Sequence, residues 1–268
     1  MAFHLVEKNG FSWVESDVLG VRNLFSRRLG DVGDFPYTSN PDPEWEGPER
    51  QERVRAQWQA FRAAAELPEE GICFTRQIHE TLVRPVTAME RKLPPLPHWP
   101  EDCDGLVTTE KRVPLCVFTA DCVPVLLCDR EAGVVSAVHS GWKGTVGDMM
   151  GAAVRAMTAR GARIGEIRAA IGPAISQCCF ETGPEVKEAV EALLGADAAG
   201  LCPPEEGIPG KFMVDLKETN RRRLLQLGVL PEHIDVSPDC TMCMADVYWS
   251  HRATHGRRGT QANIILLD

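Results

Sequence analysis

A mixed α/β fold, with mixed sheets and helices packed on their outer faces, is what the sequence predicts, and two observations carry the prediction. Three near-continuous apolar runs follow one another mid-chain, VPLCVFT (113–119), VPVLLCD (123–129) and GVVSAVH (133–139). Such runs belong to strands covered on both faces. Around them, amphipathic helical stretches alternate with strand-like ones, but without the strict rhythm of repeated strand–helix–strand units. At 268 residues, 44% hydrophobic and 25% charged, the chain can bury a sizeable core; one large domain or two intimately packed halves would fit, and a single domain over residues 1–268 is expected.

FSWVES (11–16) and GVRNLFSRR (20–28) have the composition of paired strands, and a polar, proline-bearing loop follows from Gly30 to Pro48. From Glu49 to Glu66, residues Val54, Trp58, Phe61 and Ala65 recur three or four apart, the period of an amphipathic helix stopped by Pro68. ICFTRQIH (72–79) and TLVRPV (81–86) are expected strands, and RKLPPLPHWPEDCDG (91–105) is a proline-rich surface crossing in which His98 packs or faces solvent. After the central strands come a helix from Thr145 to Ala159, the strand IRAAIG (167–172), a helix from Pro184 to Leu194 and a Pro/Gly-rich loop at 202–210. The chain closes with FMVDL (212–216), a helix from Leu216 to Leu227, and the strand-like HIDVS (233–237), DVYWSHR (246–252) and QANIILLD (261–268).

A formal charge of −9 argues against non-specific nucleic-acid binding, which needs a basic face, and favours small substrates. No apolar run reaches the roughly 18 residues of a membrane helix, and the first residues lack the layout of a signal peptide, so a cytoplasmic location is expected. In that compartment the ten cysteines are expected reduced.

His79, Cys122 and His139 each end an apolar, strand-like segment. Two imidazoles and a thiolate hold zinc with the fourth position open, the arrangement of a catalytic site. Cys240 and Cys243 form a Cys-x-x-Cys pair and Cys178 and Cys179 stand side by side; a structural zinc site would require the two pairs to converge and a redox pair a nearby helix start, and reduced, packed thiols are the expectation. Cys73, Cys103, Cys116, Cys128 and Cys202 carry no signal beyond packing, and His251 and His255 are assigned structural or surface roles.

TRQIH, DCDGLVT, TADCVPVLL, VHSGWKGT, AIGPAISQCCFETGPEV, DLKETNRRRLLQLGV and YWSHR with QANIILL together resemble the laccase-domain, polyphenol oxidase-like family. Its members are described as purine nucleoside phosphorylases with adenosine deaminase activity, and also as peptidoglycan editing factors. The resemblance implies an α+β, four-layer α/β/β/α architecture and zinc ligands at His79, Cys122 and His139. It implies phosphorolysis of adenosine, inosine or methylthioadenosine to free base and ribose 1-phosphate, together with deamination of adenosine by a metal-activated water; separately, a monomer or small homo-oligomer is expected. Deamination needs a proton shuttle. Asp121 is favoured over Glu80, which replaces the glycine usual after this histidine. Phosphate needs cationic donors, and Arg27, Lys143 and Arg252 are the candidates, with Gly144 and Thr145 adding a helix start. The segment FSRRLGDVGDFPYTSN follows the family pattern only loosely.

Alternatives remain open. A multicopper oxidase needs more imidazoles than seven histidines furnish, but a single Cu²⁺ at the same three ligands would give weak phenol oxidation. Cys122 activated by His139 would make a cysteine hydrolase or amidase. A non-catalytic nucleoside-binding protein would use the same pocket.

Overall fold

The two ends of the chain build the first sheet. β1 (Phe3–Lys8), β2 (Phe11–Ser16) and β3 (Arg22–Ser26) form an antiparallel meander. β13 (Gln261–Leu266) pairs with β3 and with β6 (Leu115–Thr119), giving the order β1-β2-β3-β13-β6. The computed structural model describes residues 3–28, 48–93 and 102–268. A second sheet runs in the order β12 (Ile234–Val236), β9 (Arg168–Ile171), β7 (Val123–Asp129), β8 (Val134–Ser140), β5 (Gly105–Thr108) and β4 (Val83–Pro85). Its outermost pairs are parallel and its inner pairs antiparallel, so the sheet is mixed as expected.

Side-chain alternation stacks these sheets. In β7, Leu126 and Cys128 face β6 and β13 across a core that includes Phe25, Leu115, Val117, Ile265 and, from β8, Val135. Val125 and Leu127 point the other way, against Met149, Val154 and Met157 of α3 (Met149–Thr158), Val190 of α4 (Pro184–Leu194) and Leu224 of α5 (Leu216–Gln226). The outer face of the first sheet buries Trp13, Leu24, Phe118 and Ile264 under Trp58 and Phe61 of α1 (Pro48–Ala64). Each of those two aromatics contributes about 1.5–3 kcal/mol by leaving water. The layers are therefore α/β/β/α.

Several local expectations are corrected. Residues 72–79 are not a strand. They make only isolated bridges, Ile72 with Lys92, Cys73 with Leu115 and Arg76 with Asp102. The amides of Ile78, His79 and Glu80 all donate to the Asp104 carboxylate instead of to a ladder, and His79 takes a left-handed φ of 64°. The expected strand at 81–86 shortens to β4, and GLVT, placed at the edge of a surface crossing, is buried strand β5. The helix expected from Thr145 to Ala159 is two helices, α2 (Trp142–Val146) and α3. Gly147 closes α2 by donating to Lys143 O, and Asp148, at φ 71°, caps α3 by accepting from Gly151 N. DVYWSHR is a series of turns, because Val247 and Tyr248 donate to Met244 O rather than to a neighbouring strand. FMVDL is a strand only at β11 (Phe212–Met213), which pairs with β10 (Glu181–Thr182) and bridges Pro204, since Asp215 already caps α5. The expected loop at 30–47 and His98 lie outside the described residues. No helix among the described residues is long and apolar enough to cross a membrane.

Candidate metal centre and substrate cavity

Sheet register assembles the ligands. In the β7–β8 pair Val123 faces Ser140 and Pro124 faces His139, so Cys122, one residue before β7, comes to the same end as His139. On the other flank of β8, Gly105 faces Val138, which puts Asp104 beside His139. The loop carrying His79 is fastened to that same aspartate. His79, Cys122 and His139 then present ligand atoms that all lie within 4.8 Å of one another, with His79 Nε2 4.0 Å from Cys122 Sγ and the two imidazoles edge to face at 4.9 Å.

Asp104 organises the group. Fully buried, its carboxylate accepts from His139 Nδ1 at 2.8 Å while holding the three amides of residues 78–80, and its carbonyl accepts from His139 N at 2.7 Å. A donor bond at Nδ1 leaves the other imidazole nitrogen as the ligating atom, the usual carboxylate–histidine support of a metal site. Burial raises the Asp104 carboxyl, but His139 and the amides of Glu80 and Ile78 outweigh it and hold the group below the usual carboxylate range. Burial likewise pushes the Cys122 thiol up, yet His139 and then His79 bring it down to about 6. Burial lowers His139, and the Cys122 thiolate followed by Asp104 raises it to about 9. The thiolate, the form that binds metal, is thus the favoured state of Cys122.

Close packing fits the same purpose. A Cβ at Gly141 would lie 3.0 Å from His79 Cδ2 and 3.2 Å from Cys122 Sγ, so only glycine lets this turn approach the ligands. His79 (φ 64°) and Asp121 (φ 83°) both sit in the left-handed region that costs a non-glycine residue about 1–3 kcal/mol, at the two bends that aim His79 and Cys122. Two soft nitrogens, one thiolate and a supporting carboxylate suit Zn²⁺ or Cu²⁺.

The cluster opens into a cavity of about 350 Å³. Phe118, Ile175 and Phe180 supply apolar wall, while Asp121, His251, Arg252, Arg258 and Thr260 supply polar groups. Asp121 is therefore at the site, but its two oxygens already accept from Thr241 Oγ1 at 2.6 Å, Ser250 Oγ at 3.1 Å and Arg252 N at 2.7 Å. Arg252 reaches the cavity across the Phe180 ring, 5.5 Å from its centroid, with Nη2 donating to Glu181 O at 3.2 Å. Neither Arg27 nor Lys143 is in the cavity wall. The Arg27 guanidinium lies 5.8 Å from the Tyr248 ring centroid, and exposed Lys143 sits beside its own neighbour Trp142. Thr145 does not offer a free helix-start amide: its N–H donates to Gly141 O and its hydroxyl bonds Ser140 Oγ.

Asp104, Arg258 and Thr260 stand at the site beyond the residues expected there, and His251, expected in a structural or surface role, lines the cavity. Arg258 Nε is 3.2 Å from His251 Nδ1, and burial together with Arg258 lowers His251 below the usual imidazole value. Thr260 buries a hydroxyl that has no partner among the described residues. Only DCDGLVT held a usable signal, an aspartate at the start of a buried strand.

One antiparallel and one mixed β layer flanked by helices, carrying an open His₂Cys cluster at the sheet ends above a small cavity, define an α/β/β/α protein with a candidate metal site. Within that class the chain belongs to the laccase-domain family: the model described as "Multi-copper polyphenol oxidoreductase laccase" matches residues 22–268. Purine nucleoside phosphorylase YlmD of Geobacillus stearothermophilus is 35% identical over 221 residues, 80% of this chain and 76% of that protein. Adenosine deaminase RL5, from an unknown prokaryotic organism, is 40% identical over 153 residues, 57% of each chain. The crystal structure of the Geobacillus YlmD superposes with a TM-score of 0.85 over 99% of both chains at 29% identity.

Proposed function

We propose that this protein is a zinc-dependent purine nucleoside phosphorylase that also deaminates adenosine. The carrying observation is the His79, Cys122 and His139 cluster opening onto a cavity of about 350 Å³ with both aromatic and guanidinium groups in its wall. That volume lies at the low end of small-molecule sites, about 300–1,000 Å³, and suits one nucleoside rather than a polymer. The names of the relatives, phosphorylase and adenosine deaminase, support the same substrate class.

In this reading Phe118 and Phe180 sandwich or flank the purine, since aromatic rings favour offset or edge contacts with a flat base. Arg252, held by Phe180 and Glu181 O, presents its planar fork to phosphate, with Arg258 as a second cation. Thr260 Oγ1 offers the substrate a hydrogen bond that no described residue takes. His79, Cys122 and His139 would hold zinc, which when bound would supply Lewis acidity and lower the pKa of water at the site towards about 7. Asp121, with three donors on its carboxylate, acts chiefly as a positioning residue that ties the bend before Cys122 to the 241–252 segment. Arg27 and Lys143 then serve outside the base and phosphate pocket.

Turnover tests the reading directly. Adenosine with phosphate is expected to yield adenine and ribose 1-phosphate, and inosine is expected without phosphate; absence of product from adenosine, inosine, guanosine and methylthioadenosine would overturn it. A cysteine hydrolase reading draws on the lowered Cys122 thiol beside the raised His139. It requires full activity in chelator, where the metal-dependent reading requires none.

A further inference from the structure

A second cluster lies away from that cavity opening. Cys178 and Cys179 follow β9 in a tight turn, in which Cys179 N and Phe180 N both donate to Ser176 O. Cys240 and Cys243 begin the turns before Tyr248, with Met244 N donating to Cys240 O. A parallel bridge joins Ala174 to Cys240, and Thr241 N donates to Ala174 O at 3.1 Å, so the two turns are laid side by side.

Four sulfurs therefore converge from positions more than sixty residues apart, all within 4.8 Å of one another. Cys178 and Cys179 Sγ are 3.7 Å apart, Cys178 and Cys243 3.6 Å, and Cys179 and Cys243 3.3 Å. Four thiolates around zinc at about 2.3 Å would stand about 3.8 Å apart along each edge of the tetrahedron. Three edges are already within about half an ångström of that value, and all four cysteines are free thiols. Cys240, buried, also receives Ser176 N–H at 3.4 Å, the kind of amide support that orients a thiolate ligand.

We propose that Cys178, Cys179, Cys240 and Cys243 form a closed, four-thiolate structural metal site, with zinc the fitting ion. A set of four sulfurs in tetrahedral reach selects zinc or another thiophilic metal, and leaves no position for substrate. Loading Zn²⁺ displaces the thiol protons to solvent and moves no electrons. The site's placement gives it a task. Cys179 precedes Phe180 of the cavity wall, and Cys240 precedes Thr241, which holds Asp121. A metal here fastens two walls of the cavity to each other through their backbone.

Metal content of the full chain, expressed with zinc present and purified under reducing conditions without chelator, tests this independently of the open site. Two equivalents of zinc per chain are expected, falling to one in Cys240→Ser/Cys243→Ser and to one in Cys122→Ser. One equivalent in the wild type, unchanged by Cys240→Ser/Cys243→Ser, would overturn the proposal, as would a disulfide among these four cysteines in the reduced preparation. Should the double variant not fold, cobalt substitution of Cys122→Ser decides. That protein has lost the open-site thiol, so intense thiolate-to-cobalt charge transfer supports the four-cysteine site and its absence overturns it.

Discussion

Two clusters of soft ligands stand on the same framework and differ in how they are finished. At the sheet ends, His79, Cys122 and His139 leave one side facing a cavity, and a buried carboxylate, Asp104, spends four hydrogen bonds holding two of them. In the turns at 178–179 and 240–243, four thiols meet one another with no cavity residue among them. Ligand count separates the two: three protein ligands leave room for chemistry, four close the sphere and leave only cohesion. The difference also lies in what shapes each cluster. Strand register and two left-handed bends make the first, and tight turns make the second.

That contrast breaks or sharpens most sharply at the ligands themselves. Cys122→Ser is expected to lower kcat/KM at least about a thousandfold, several kcal/mol of lost electrostatic stabilisation, while shifting Tm little. Cys240→Ser/Cys243→Ser should do the reverse, lowering Tm by about 5–10 °C with a smaller loss of rate. Parallel turnover assays and thermal melts check the pair, and equal effects on both readouts would erase the distinction. Next in size, Asp104→Asn should weaken metal binding at the open site by about 10–100-fold, measured by competition with a chelating indicator, and leave the four-cysteine site loaded. Arg252→Gln should raise the KM for phosphate by roughly tenfold or more, the worth of a charge-assisted hydrogen bond, with metal content unchanged. Lys143→Ala, away from the cavity wall, should change kcat/KM by less than about threefold under the same assay.

Much of the layering was legible because it is written in local period. VPVLLCD alternates between two apolar neighbours, and the Trp58 and Phe61 spacing marks the covering helix. His79 illustrates the limit. Its segment is apolar enough to pass for a strand, but the amides that would have joined a ladder go to Asp104, some 25 residues onward. The break between α2 and α3 was hidden for a related reason: a left-handed Asp148 re-caps the chain, and bidentate bonding to Arg223, 75 residues away, holds it there. Arg252, a candidate by residue type, lines the cavity. Arg258 and Thr260 stood in a stretch with no period and no motif, and only the cavity brings them beside the His79, Cys122 and His139 cluster.

By itself the sequence determined which potential donors the chain carries, because residue chemistry is local: an imidazole or a thiol is as good a donor anywhere in the chain, and an apolar run buries itself whatever its partner. Period likewise marked sheets with helices packed outside them, since period follows from backbone geometry, while the four-layer stacking was implied by the family resemblance. Tertiary structure alone decided number and access. Whether three ligands or four gather, whether a cavity faces them, and which arginine shares that cavity depend on register and turns joining residues far apart in sequence, 131 positions in the Asp121 to Arg252 bond, and no local pattern records such distances.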